Sequence, residues 1–318
     1  MSDSILRQEK GMVLLLVLVV VALLSGLLSE FAFSSLIDLR LAETYRDSTR
    51  AYFLARGGVR AAQMIIKGDG NNFDARSEMW GLGAANIPVG DGVISITIED
   101  LDGRLSINSL VSGNNPQAEQ KKRFLRLFEK LGIVESPQNL VAALIDWLDS
   151  GDEIYNEDGA VGAESSYYLG LDPPYEARNG SMSSIEELAL VRGFTNEVIP
   201  VITPYVTLYG TKQVNCNTAS PEVIATLNLD DEQPVALEDA RKIADARDQE
   251  PFEGADDFIE IFPSLSPLFP TSAELDYSLK YTSDYYRIRS QAWINDGTRT
   301  VTAVVRKSNN RIQYLRVD

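Results

Sequence analysis

The sequence predicts an α+β fold: a long N-terminal helix, an antiparallel β-sheet, and a large all-helical domain inserted between two parts of that sheet. Three observations carry this. Residues 11–29 hold no charge, and a helical pattern continues beyond them to residue 66 without a proline. Two β-branched, broadly alternating segments, 93–98 and 285–294, lie far apart in the chain. Between them, over residues 116–270, apolar positions recur at helical spacing and are broken by turn residues. The expected organisation is a short N-terminal segment at 1–11, the long helix at 12–66, the first part of the sheet at 67–115, the helical insertion at 116–270 and the last strands at 271–318.

The uncharged run spans about 19 residues, or about 28 Å of helix, close to the hydrocarbon thickness of a bilayer. Arg7 and Lys10 precede it, while Asp3 and Glu9 dilute their charge. The N-terminus is therefore expected in the cytoplasm, with the large domain on the far side of a single membrane span that ends near residue 29. A cleaved signal peptide would have a shorter apolar stretch and a small-x-small site. Here the pattern continues as an amphipathic helix, with Phe33, Leu36, Leu39, Tyr45, Phe53 and Leu54 among its apolar positions. From Met12 to Ile66 it would measure about 80 Å. Gly57-Gly58 is where it would kink.

Residues 67–90, rich in Gly, Asn and Asp, read as loop. The strand at 93–98 follows, and Asp102-Gly103 reads as its hairpin turn. In the helical block, one helix ends at Gly132 as a C-cap, and a second runs from Gln138 to Leu148. Residues 181–206 read as a helix–turn–helix pair, with Ser183 or Ser184 capping the start of its first helix and Gly193 the end. Three further helices follow between 218 and 262. Beyond Pro270 the strand at 285–294 turns at Asn295-Asp296-Gly297 and runs back through 298–306, and 311–317 forms a last strand.

Hydrophobic residues make up 44% of the chain, enough for a sizeable core. Lys plus Arg total 29 against 46 Asp plus Glu, a formal charge of -17. Such a surface repels phosphate backbones, so no nucleic acid is expected as partner. Residues 217–221 resemble a helix-hairpin-helix module, which would suggest DNA binding. The stretch 228–234 offers acid where that mode needs Lys or Arg, so the SAM/helix-hairpin-helix-like block reads as a packing scaffold. The chain has no His, which removes the commonest general base and transition-metal ligand. No G-x-S-x-G and no phosphate-binding glycine loop is present, and no enzyme activity is expected. Cys216 reads as a small buried hydrophobe.

The densest chemistry lies at Asp146, Asp149, Asp152, Glu153, Glu157, Asp158 and Glu164. Asp146 and Asp149 are three apart on a helix and share a face. The others sit on a glycine-bearing loop that can bend back. Calcium takes about six to eight oxygens on a flexible loop, and carboxylates held this close repel without a counter-ion. No EF-hand spacing is present. Spacing alone leaves two readings, a solvated acidic loop and a calcium site. Leu171-Asp172-Pro173-Pro174-Tyr175 reads as a rigid turn that positions this loop.

Lys10-Gly11, directly before the apolar run, resembles the cleavage site of type IV prepilins and pseudopilins. The resemblance implies that a prepilin peptidase removes residues 1–11 as a leader, cutting after Gly11 and methylating Met12. Most relatives have Phe where this chain has Met12. Major pilins also carry a Glu at the fifth mature position, where this chain has Leu16. A carboxylate in a bilayer is costly unless paired, and in such filaments its partner is the terminal amine of an adjacent subunit. A subunit with no neighbour above it lacks that partner.

Leu16 and the helical insertion together resemble the minor pseudopilin K family of type II secretion systems, also called general secretion pathway protein K. The resemblance covers nearly the whole chain. It implies a pilin-like helix and sheet, a place at the tip of a pseudopilus in a bacterial inner membrane, and a periplasmic C-terminal domain. Implied partners are the I and J types of minor pseudopilin, the major pseudopilin and the prepilin peptidase. The family's D-W-x-D-x-D, G-A-E and paired-tyrosine pattern is matched by Asp146, Trp147, Asp149, Gly162, Ala163, Glu164, Tyr167 and Tyr168, while Asp152 stands one position late. It implies calcium, with Asp146, Asp149, Asp152, Glu157, Asp158 and Glu164 as candidate ligands. Two other functions remain open on the sequence: a minor pilin of a type IV pilus, and a membrane-anchored hydrolase using the acidic cluster.

Overall fold

The computed structural model describes residues 2–157, 159–229, 233–268 and 279–318, with side chains from residue 12 onward. Helix α1 (Ser2–Gly68) is one continuous element of 67 residues, about 100 Å long. From Met12 to Leu41 its apolar side chains are exposed. Among the described residues it is the one helix long and apolar enough to cross a membrane. Its last third carries a stripe of small residues, Ala51, Ala55, Gly58, Val59, Ala62 and Ile66, all buried. The helix does not break at Gly57-Gly58. Gly58 serves packing instead. A Cβ there would lie 2.3 Å from Ser290 Oγ and 2.4 Å from Ile94 Cδ1, so its absence lets α1 lie down on the sheet.

The sheet has five strands: β1 (Ala84–Val89), β2 (Gly92–Asp100), β3 (Tyr285–Ile294), β4 (Gly297–Arg306) and β5 (Arg311–Val317). Their order is β1-β2-β3-β4-β5, antiparallel throughout. Ile94, Ile96, Ile98, Ile288, Val301 and Ala303 alternate inward and form one core with α1. The segment expected as loop therefore contains strand β1. Its Pro88 and mostly exposed side chains hide a strand from pattern reading, and both are tolerated at a sheet edge. The hairpin turn before β2 lies at Gly90-Asp91, and Asp102-Gly103 is not a hairpin turn. Gly103 instead sits where a Cβ would meet Thr218 Oγ1 at 2.5 Å.

Strands β2 and β3 are neighbours, with Asp100 opposite Tyr286, yet the whole helical block lies between them in sequence. The chain leaves the sheet at Asp100 and returns at Tyr285, where Leu101 N donates to Tyr285 O at 2.9 Å. This joint has a definite place along α1. At the anchor end of the sheet, Asn295 Nδ2 donates to Asp47 Oδ2 at 2.9 Å. At the other end Trp80 packs edge-on against Tyr286 at 5.1 Å, and Lys307 Nζ reaches Asp69 at 2.9 Å. The insertion thus springs from the end of the sheet farthest from the apolar anchor.

The block has its own core, built on α2 (Ala118–Lys130), α3 (Pro137–Leu148), α4 (Leu237–Gln249) and α5 (Ala255–Ile261). It begins before the expected residue 116: Leu105, Ile107 and Leu110 belong to this core, and Leu105–Ser106 pairs with Val206–Thr207. The expected boundary at 270 falls outside the described residues. The expected helix pair at 181–206 is shorter than read, a 3-10 segment Ile185–Leu190 and a five-residue helix Val198–Ile202. Ser184 caps the first in a capping box with Glu187, but its C-cap is Val191 and not the expected Gly193, which stands beyond it at φ +87°. Pro204 removes a backbone donor just past the second. Cys216 is fully buried, and burial pushes its thiol up to about 12.

Candidate metal centre

Helix α3 starts cleanly, with Ser136 as N-cap and Pro137 in its first turn. Every residue from Leu140 to Leu148 is buried. A carboxylate in its last turn is therefore carried into the interior, and Asp146 is 0% exposed. Asp146 Oδ1 accepts from Tyr155 N at 2.9 Å, while Oδ2 has no partner. Asp149 is the half-buried C-cap, and its Oδ1 accepts from Gly151 N at 2.8 Å. Glu164 stands just before the one-turn helix Ser165–Tyr168, and both of its carboxylate oxygens are buried without a partner. One oxygen from each of Asp146, Asp149 and Glu164 lies within 4.8 Å of the others.

Buried polar atoms without partners are rare and costly. Here three of them belong to two carboxyl groups that face a third. Burial, then the neighbouring charges of Asp146 and Asp149, push Glu164 up to about 7. Burial is also the main cause that raises Asp146 to about 6, and it raises Asp149. Hard anionic oxygens in this arrangement suit a hard divalent cation, which would supply the positive charge that the set lacks. The residues present therefore fit calcium.

The other expected ligands are placed differently. Asp152 is exposed on the loop. Glu157 is exposed and turned toward α2, where Lys121 Nζ meets it at 3.2 Å and the Tyr155 hydroxyl donates to it. Asp158 lies outside the described residues. Arg192 escaped the sequence reading, as did the contacts made by the motif residues around the cluster. Gly162 presses against the cluster, since a Cβ there would come within 1.9 Å of Asp146 Oδ2. Arg192 Nη1 holds the Gly162 carbonyl at 3.1 Å and its guanidinium lies 4.7 Å from the Tyr167 ring centroid. Trp147, Tyr168 and Tyr175 form an aromatic wall, with centroids of Trp147 and Tyr168 at 5.2 Å and Tyr168 stacked on Tyr175 at 5.2 Å. The Tyr175 hydroxyl donates to Leu190 O at 2.8 Å, so the turn at 171–175 ties the wall to the next segment. The aromatic spacing was visible in sequence; the partners were not.

A second acidic group, Asp69, Asp74 and Glu78, also comes together. Its oxygens are already claimed. Lys307 Nζ donates to Asp74 at 2.7 Å and to Asp69 at 2.9 Å. Ser283 N donates to Asp74 at 2.7 Å, and the Tyr286 hydroxyl also donates to it. Glu78 accepts from Ala75 N at 2.7 Å and Trp80 Nε1 at 3.1 Å. This is a clasp between the end of α1 and the sheet, and it carries its own cation.

Family models described as type II secretion system (T2SS), protein K, match residues 103–211 and 214–274, together more than half of the chain. Type II secretion system protein K of Pseudomonas aeruginosa is 28% identical over 316 residues, covering 96% of this chain and 90% of that protein. The protein of the same name from Aeromonas hydrophila is 28% identical over 327 residues, covering 98% of this chain and 97% of that protein. Among solved structures, a chain of the GspK-GspI-GspJ complex from the enterotoxigenic Escherichia coli Type 2 Secretion System has the same fold. Its TM-score is 0.63 at 20% identity, covering 88% of this chain and 97% of that chain.

Proposed function

This chain belongs to the type II secretion system protein K family, the minor pseudopilins, and on that premise we propose that it caps the tip of a pseudopilus. The supporting observation is where the insertion sits. The helical block leaves the sheet at Asp100 and Tyr285, at the end farthest from the anchor. Bulk at that end stands where a further subunit would stack, so the chain suits the top of a filament and not its shaft. Leu16 agrees with this, because a subunit with no neighbour above it has no amine to pair with a buried carboxylate.

The chain is anchored by α1. Its membrane is the inner membrane, with the N-terminus cytoplasmic and the sheet and helical block periplasmic. Prepilin peptidase cuts after Gly11 and exposes Met12 for methylation. Mass spectrometry of the N-terminus tests this step, and a chain that still begins at Met1 would refute it. The partners are minor pseudopilins of the I and J types, the companions named in the similar solved complex, and through them the major pseudopilin. Calcium is held by Asp146, Asp149 and Glu164, where it neutralises the cluster and stiffens the loop between α3 and residue 165. The matches favour this reading over a type IV pilus minor pilin and over a hydrolase.

The tip position has a direct test. Val134 is 97% exposed in the turn between α2 and α3, and a gold-binding tag inserted there reports the block. On assembled pseudopili, label confined to one end of each filament is the expected result. Label spaced along the shaft would overturn the proposal.

A further inference from the structure

In a chain whose net charge is -17, the sheet face turned away from α1 gathers three arginines, and the cleft over it also holds the carboxylates Glu186 and Asp318. Arg287 and Arg289 stand there on β3, and Arg316 on β5. Arg289 lies directly between two hydroxyl residues, Thr97 on β2 and Thr302 on β4. Thr302 is in turn paired with Arg316. The helical block leans over this face, and the two together enclose a cleft of ≈ 310 Å³ with Ser183, Ser184 and Thr207 on its opposite wall. That volume is at the small end of ligand sites.

Two of the arginines are engaged within the chain. Arg287 Nη1 meets Glu99 at 3.2 Å, and Arg316 meets Glu186 at 2.9 Å and Asp318 at 2.8 Å. Arg289 is exposed, and among the described residues no ion pair holds it. A guanidinium flanked by hydroxyls presents a planar fork of donors suited to a carboxylate. Ile185, Leu208 and Val304 line the same cleft and suit the aliphatic parts of residues beside such a carboxylate in a peptide.

We propose that this cleft binds an extended acidic peptide segment of a partner protein, with the Arg289 guanidinium gripping one of its carboxylates. The inference is independent of the tip assignment. A chain this acidic repels acidic peptides in general, so their binding would report a local site.

The test uses the full chain in detergent micelles at low salt, with fluorescence anisotropy of a labelled hexaglutamate peptide. Wild type is expected to bind hexaglutamate and not hexaglutamine. Arg289→Gln is expected to weaken binding about tenfold or more. Arg241→Gln, an equal loss of charge at an exposed site on α4, is expected to leave binding unchanged. Absence of hexaglutamate binding would overturn the proposal, as would equal weakening by the two variants. Displacement by free glutarate at the same concentration as by peptide would also overturn it, by assigning the cleft to a small dicarboxylate.

Discussion

Gly162 packs against Asp146 so closely that a Cβ on residue 162 would fall 1.9 Å from Asp146 Oδ2. The missing side chain is what lets the buried carboxylate point at Asp149 and Glu164. Gly162→Ala should therefore push Asp146 out of the cluster. Calcium affinity, read by titration calorimetry on the full chain, should fall about tenfold or more, as for other changes that disturb ligand orientation. The metal-free chain should lose about 1–3 kcal/mol from overpacking. Unchanged affinity would detach Asp146 from the metal.

The same cluster sets a pH dependence. Asp146 is raised from 3.8 to about 6 and Glu164 from 4.5 to about 7, both chiefly by burial. Folding therefore takes up protons between about pH 4 and 7, because the native state binds more of them than the unfolded chain. Stability of the calcium-free protein should fall as pH rises through that window and level off above it. Asp100, raised to about 7 by burial and by Asp102, acts in the same direction. Glu164→Gln should flatten the fall in melting temperature measured in chelator. Added calcium should oppose the fall, since the ion binds the deprotonated groups. A slope unchanged by Glu164→Gln would remove Glu164 from this account.

Side by side on α1, two glycines should behave oppositely. Gly57 has nothing within 4 Å of its would-be Cβ, whereas Gly58 would strike Ser290 and Ile94. Gly57→Ala should stabilise by up to about 1 kcal/mol, the helix-propensity gain. Gly58→Ala should destabilise by about 1–3 kcal/mol as α1 lifts from the sheet. Thermal melts of the two variants in micelles decide this, and equal shifts would show that α1 does not depend on close approach at residue 58.

What could be read from the sequence follows from how local each signal is. The alternation in β3 and the apolar run of α1 are contained within single segments, so they were legible. Strand β1 was not, because an exposed edge strand with a proline buries too little to leave a pattern. The paired acids of α3 and the G-A-E triplet were visible as residues, but which of them converge was not. Glu157, outside the matched motif, stood beside Glu164 among the candidate ligands, but Lys121, from a separate helix, pairs with it. The Asp69–Asp74–Glu78 clasp was invisible because its cation, Lys307, comes from the far end of the chain.

That clasp gives the last prediction. Asp74 is 2% exposed, and Lys307 is the cation that compensates it. Lys307→Met keeps most of the side-chain bulk but removes the charge, leaving Asp74 and Asp69 against each other. Breaking a buried pair this way costs about 3–5 kcal/mol. The lower end is expected here, because Ser283 N and the Tyr286 hydroxyl still donate to Asp74. Asp74→Asn added to Lys307→Met should recover part of the loss, since no buried charge then remains at residue 74. The double-mutant cycle is read by denaturant unfolding of the full chain. Additive losses would mean that Asp74 and Lys307 do not act as a pair, and that the end of α1 is held to the sheet by apolar packing, Ala62 and Ile66 with Trp80 and Tyr286.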